Sequence, residues 1–246
     1  MKQLIAFDLD GTLALSKQPI DEEIAMLLNR LIKVVSTAVM SGGDWPRFQT
    51  HLLGRLSADT DLERLYLLPT SGAKLYQYRG SWRRRYADLL SPSERLKLIG
   101  AIDATIAALN FATEPVWDRR FEDRGTQITF SGLGQHAPLD ANLAWDPSGK
   151  KRSKIQAVLQ PLLSGFTVRI GGSTSIDVTR NGVDKGSGIT RLSSLSAIPC
   201  VDSLFVGDAL YAGGNDEALS ASGIDCISVR DVKETKHVIE AILFSR

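Results

Sequence analysis

Cysteine is almost absent: Cys200 and Cys226 are the only two in 246 residues, and they lack any metal-type spacing. Each sits beside apolar residues, which fits a reduced interior and leads us to expect a cytoplasmic protein. Histidine is nearly as scarce. His51, His136 and His237 are scattered along the chain with no ligand spacing, so all three read as packing or surface residues. No apolar run approaches the ~18 residues of a membrane span, and the start lacks the basic stretch and apolar segment of a signal peptide. A soluble protein without a membrane partner is the expectation. Charge of one sign is missing too: 29 Lys and Arg against 28 Asp and Glu leave a net charge of +1, so no overall field recruits nucleic acid. The run Arg83-Arg84-Arg85, with only Trp82 and Tyr86 as aromatic neighbours, reads as a solvated basic patch that would also attract an anionic substrate. There is no internal repeat and no low-complexity segment.

What the chain does have is enough apolar content, 43%, for a packed core of one large domain or a domain with an insertion. Apolar runs and helical patterns alternate through the first third: strand 3–8, helix 21–32, strand 34–40, helix 45–57, strand 64–68. The rhythm returns with strand Ser203-Leu204-Phe205-Val206, a helix from Asp216, a strand from Ile224 to Val229 and a closing helix near 233–244. The two ends together suit one Rossmann-like parallel sheet of an α/β fold. The middle differs. Ser91-Pro92-Ser93-Glu94 is a capping box that opens a helix running to about Ala112. A two-residue alternation follows in Gln127–Phe130, Thr167–Ile170 and Ser175–Thr179, with a helix near 151–163. This predicts an inserted α+β cap over 81–185, with a discontinuous core of 1–80 and 186–246.

The densest chemistry lies at the end of the first strand, in Phe7-Asp8-Leu9-Asp10-Gly11-Thr12. Strand side chains repeat every second residue, so Asp8 and Asp10 start out on one side, and Gly11 lets the chain turn. Carboxylates held so close raise one another's pKa unless a cation or proton intervenes, and Mg²⁺ is the natural occupant. An Asp-rich turn is the plainer alternative. Calcium in a helix-loop-helix site is disfavoured, because Gly11 comes fourth in the loop and Pro19 occupies the place of its final Glu. Three further elements fall at matching places. Ser41, followed by Gly42-Gly43, combines a hydroxyl for a phosphate oxygen with a backbone that allows close approach. Lys185, in Gly182-Val183-Asp184-Lys185, would bring a cation; Lys154 is its rival, inside the expected cap helix. Asp208 follows a buried strand and leads into Gly213-Gly214-Asn215-Asp216. Asp8, Ser41 and Asp208 would all lie beyond the carboxyl ends of parallel strands, where such sheets bind ligands.

In this order the four elements resemble the haloacid dehalogenase superfamily, in its subfamily IIB with a large α/β cap. Ile170-Gly171-Gly172, Ser175-Ile176-Asp177-Val178 and Gly182-Val183-Asp184-Lys185 extend the likeness to the eukaryotic-type phosphomannomutases and related sugar-phosphate phosphatases. The resemblance implies that Asp8 is the nucleophile and Asp10 the general acid and base. Mg²⁺ would be held by Asp8, the Asp10 carbonyl and Asp208. Thr12, Ser41, Gly42 and Lys185 would receive the phosphoryl group, and Asn215 and Asp216 would stand behind them. Thr12 also has a simpler reading as a turn cap.

In the cap the likeness implies substrate contacts from Arg124, Ser175 and Asp177. Two further cap arginines of the mutases are replaced, by Gln135 and Asn142, and neutral side chains cannot clamp the second phosphate a mutase must grip. The expected activity is therefore a Mg²⁺-dependent phosphatase acting on a sugar phosphate or similar small phosphomonoester. The alternatives are a phosphomannomutase and a catalytically silent sugar-phosphate sensor. The protein would be a monomer or a cap-mediated homodimer.

Overall fold

The computed structural model describes residues 1–111 and 115–245. Two compact units emerge, Met1–Ala87 with Val183–Arg246, and Asp88–Gly182 between them. The first unit opens with β1 (Leu4–Asp8), α1 (Glu22–Val34), β2 (Ser36–Met40), α2 (Trp45–His51) and β3 (Leu65–Leu68), followed by a hairpin of β4 (Lys74–Tyr78) and β5 (Trp82–Ala87). β1 is buried on both faces, as a central parallel strand should be: Ile5 and Phe7 join one apolar cluster with α1, Leu4 and Ala6 another. The helix expected over 45–57 stops at His51, and Gly54 falls in a 3₁₀ turn, Leu53–Arg55.

The second unit comprises α3 (Pro92–Ala108), β6 (Phe121–Asp123), β7 (Gln127–Ser131), α4 (Leu139–Trp145), α5 (Lys150–Leu159), β8 (Phe166–Ile170) and β9 (Ser175–Arg180). Its capping box is formed: the Ser91 hydroxyl accepts from the Glu94 N–H, and the Glu94 carboxylate accepts from the Ser91 N–H. The helix ends at Ala108, and the expected end at Ala112 lies outside the described residues. The sheet is antiparallel in the order β6-β7-β9-β8. Ile128, Phe130, Ile176 and Val178 turn one way, into a core shared with Leu98 and Ile102 of α3 and Ile155 of α5. The intervening residues, Gln127, Thr129 and Ser131 of β7 with Ser175, Asp177 and Thr179 of β9, make the other face polar.

The chain then re-enters the first unit through α6 (Lys185–Ser196), β10 (Ser203–Gly207), β11 (Asp225–Ser228) and α7 (Val232–Phe244). In place of a helix from Asp216 there is a 3₁₀ turn, Glu217–Ala221. The first unit's sheet runs β11-β10-β1-β2-β3-β4-β5, parallel through β3, with the last two strands antiparallel. Relative to the expected boundaries, the first unit extends past residue 80 because Trp82–Ala87 pairs with β4, and it recovers Lys185 from the expected cap segment because α6 packs in this unit.

Candidate active site

Register brings the site together. Phe7 pairs with Val206 and Asp8 with Met40, so Asp8 at the end of β1, Ser41 just after β2 and Asp208 just after β10 meet at one sheet edge. Asp8 is only 2% exposed. Its Oδ1 lies 2.5 Å from the Nζ of Lys185, which also reaches Oδ1 of Asp216 at 2.5 Å. Lys185 is the first residue of α6, presented by the Asp184 N-cap, whose carboxylate accepts from the Ser187 N–H. Burial opposes the Lys185 charge, but the Asp8 and Asp216 carboxylates more than offset it and hold its pKa above the ordinary ammonium range. Lys154 is instead exposed on α5 of the other unit.

Carboxylate oxygens of Asp8, Asp208 and Asp216 lie within 4.8 Å of one another. Burial pushes the Asp8 carboxyl up to about 8 despite the pull of Lys185. Burial raises Asp208 as well, while the Thr12 hydroxyl, donating at 3.1 Å, draws it back. A cluster of acids whose charged forms are this costly is what a hard divalent cation relieves, and oxygen donors alone suit Mg²⁺. The donor set therefore fits that ion. Gly11 is needed for the cluster: its φ is +87°, and a Cβ there would collide with the Asp208 carboxylate. Thr12 turns its hydroxyl to Asp208 rather than to its own turn.

Asp10 faces a different set of partners. Its Oδ2 accepts from the Ser41 hydroxyl at 3.1 Å, and its Oδ1 accepts from the Lys17 N–H at 2.9 Å and from the Arg47 guanidinium. Ser41 Oγ in turn accepts from the Gly43 N–H at 3.0 Å, across Gly42. The turn after β3 holds this loop: the Thr70 N–H donates to the Gly43 carbonyl and the Ser71 N–H to the Ser41 carbonyl, both at 2.9 Å. Thr70, Ser71 and Gly72 all have positive φ, a strained run that brings Gly72 against Gly188 of α6. Asp216 Oδ2 accepts from the Ala209 N–H, whereas Asn215 is exposed. Sequence reasoning missed Arg47 and the Thr70–Gly72 turn. Arg47 had a faint signal, three residues past the Asp44 that caps α2.

In the second unit, Arg124 follows β6 and pairs with Glu122 at 2.6 Å. Asp177 accepts from the Thr129 hydroxyl at 2.7 Å; burial pushes its carboxyl up, and Arg124 and Thr129 pull it back. Ser175 lies on the same polar face, opposite Ser131. Asn142 is buried, donating to the Ala137 carbonyl at 2.8 Å and accepting from Thr174 at 3.3 Å. Gln135 has its amide nitrogen buried with no hydrogen-bond partner among the described residues.

An aspartate ending the first strand, a hydroxyl after the second, a lysine opening a later helix and acids after a further parallel strand follow one another as in the haloacid dehalogenase superfamily of phosphoryl-transfer proteins. No family model matches the chain. It is similar to the phosphomannomutase of Spinacia oleracea, 28% identical over 228 residues that cover 88% of this chain and 85% of that protein. The phosphomannomutase of Schizosaccharomyces pombe is 28% identical over 225 residues, covering 87% and 84%. Among solved structures, an N-terminally truncated, IMP-bound IMP-nucleotidase of Plasmodium falciparum superposes with a TM-score of 0.71 at 13% identity, over 99% of this chain and 68% of that one. A trehalose-6-phosphate phosphatase related protein gives 0.56 at 18% identity, over 98% and 97%. These likenesses fit a haloacid dehalogenase superfamily protein that is sugar-phosphate hydrolase- and mutase-like. Among the described residues, no helix is long and apolar enough to cross a membrane.

Proposed function

We propose that the protein is a phosphatase that hydrolyses a sugar phosphate or a similar small phosphomonoester through an aspartyl phosphate on Asp8. The observation that carries the reading is the buried Asp8 carboxylate, held by Lys185 beside the Asp208 and Asp216 carboxylates. Asp8 attacks phosphorus as the bond to the sugar oxygen breaks, and Asp10 gives that oxygen its proton. In the second half Asp10 takes a proton from water, which attacks the aspartyl phosphate, releases inorganic phosphate and restores Asp8. Lys185, Ser41 and the loop at Gly42 offer donors to the phosphoryl oxygens, and Thr12 steadies Asp208. Asp8, Asp208 and Asp216, with the Asp10 carbonyl, would hold Mg²⁺. When bound, that ion offsets repulsion between nucleophile and phosphate.

Water is favoured as acceptor over a second sugar hydroxyl by the cap. Asn142 spends both ends of its amide on contacts within the cap, and Gln135 is neutral, which leaves Arg124 as the cation of the three positions considered. Arg124, Ser175 and Asp177 then contact the organic part of the substrate. The 28% identity to phosphomannomutases favours the second reading, a mutase. Purified protein given mannose 1-phosphate, its bisphosphate activator and Mg²⁺ is expected to release inorganic phosphate. Efficient conversion to mannose 6-phosphate without phosphate release overturns the hydrolase in favour of the mutase. Free, half-buried cysteines support a reduced, cytoplasmic setting.

A further inference from the structure

Arg47 lies in no motif that the mechanism above uses, yet its guanidinium forms an ion pair within the site. Its guanidinium meets Oδ1 of Asp10, the proposed proton carrier, while Ser41 holds Oδ2 at 3.1 Å and the Lys17 N–H reaches Oδ1 at 2.9 Å. The carboxylate is thus held at both oxygens, Oδ1 by two donors and Oδ2 by one. Lys17 adopts φ +61° in presenting that N–H, a conformation a lysine takes only under constraint. A second feature points the same way. A Cβ at Gly43 would lie 2.5 Å from Cδ of Arg47, so the glycine makes room for the arginine stem. Arg47 is half-buried, and its buried Nε has no partner among the described residues, so the side chain's order depends on Asp10.

We propose that Arg47 is a positioning residue that holds the Asp10 carboxylate in the orientation needed for proton transfer, and that Gly43 exists to admit it. The inference rests on the reading of Asp10 as the acid for the leaving group. Through Nη2, Arg47 adds a charged donor to Oδ1 beside the Lys17 N–H, and proton transfer is sensitive to the direction in which the carboxylate is held. The effect of removing Arg47 should therefore depend on whether the leaving group needs a proton.

The test compares kcat/KM for a sugar phosphate, whose alkoxide must be protonated, with that for p-nitrophenyl phosphate, whose leaving group needs none. Arg47→Ala is expected to lower the first by about 10- to 100-fold and to change the second by less than about threefold. Gly43→Ala, which crowds the stem without removing the charge, should reproduce the selectivity. In an Asp10→Asn background Arg47→Ala should cost nothing more, because it acts through Asp10. Equal losses on both substrates, or a full additional loss in the Asp10→Asn background, overturn the proposal. Should the wild-type protein release phosphate from no ester, the phosphatase reading fails separately. A crystal structure of Arg47→Ala then decides on Arg47: a turned Asp10 carboxylate supports the positioning role, and an unmoved one overturns it.

Discussion

Lys185 carries its charge with no exposed surface, a state that costs several kcal/mol unless the charge is paired on more than one side. Asp8 and Asp216 supply the pairing, and each is itself nearly sealed from water. Lys185→Met would keep the length of the side chain and remove the ammonium, leaving two buried carboxylates uncompensated. A loss of about 3–5 kcal/mol in urea unfolding is expected, together with loss of activity. A stability within about 0.5 kcal/mol of wild type would mean that the triad contributes little to the fold. At this scale the placement of the acids was legible where residue types are diagnostic in a row. Asp8, Asp10 and Asp208 stand at strand ends that apolar runs announce. Arg47 was not legible, because its partner lies 37 residues away and only tertiary structure brings the two together.

At the scale of elements, α5 offers a contrast between start signal and start. Its N-cap is Gly149, with φ of +72°, and no side chain caps the helix there. Asp146, three residues earlier, takes over: it accepts from the N–H groups of Lys151 and Arg152 at 3.0 Å and from the Arg152 Nε at 2.9 Å. Burial pushes its carboxyl up, but these donors outweigh burial and hold its pKa below the ordinary 3.8. The folded-state value being the lower one, the stability Asp146 contributes is complete above about pH 3.8 and is lost as pH falls through the folded value. Acid titration of wild type and Asp146→Asn should therefore show a stability difference at neutral pH that narrows in acid; a constant difference would exclude the linkage. Elements with strong periodicity or caps, such as β1, α1 and α3, were readable in advance. The β4–β5 hairpin was not. Its second strand is half exposed and reads as an arginine run, and its tight turn at Gly80 is marked by a single glycine.

Across the molecule, the alternation of strands and helices at both ends announced the parallel sheet, and the two-residue alternation in the middle announced a different architecture. Neither pattern could show that Asp216, eight residues beyond Asp208, folds back beside it, because that return depends on the Gly213-Gly214 turn and not on periodicity. The acidic cluster predicts a metal-dependent fold stability. At about 100 times its dissociation constant Mg²⁺ should add about 2.7 kcal/mol and raise Tm by about 5–10 °C, reversibly by chelator. Asp208→Asn should abolish the shift, and an unchanged Tm in wild type would count against the cation. One more property follows from the sheet's outer limit. β5 ends the strand order with its backbone unpaired on one side among the described residues, an invitation to recruit a strand from another molecule. Arg83, Arg84 and Arg85 stand along that strand, all exposed, so a second copy docking there would have to bring three guanidinium groups against three others. The basic run is in that sense a guard on colloidal behaviour, keeping an open sheet from growing into a longer one.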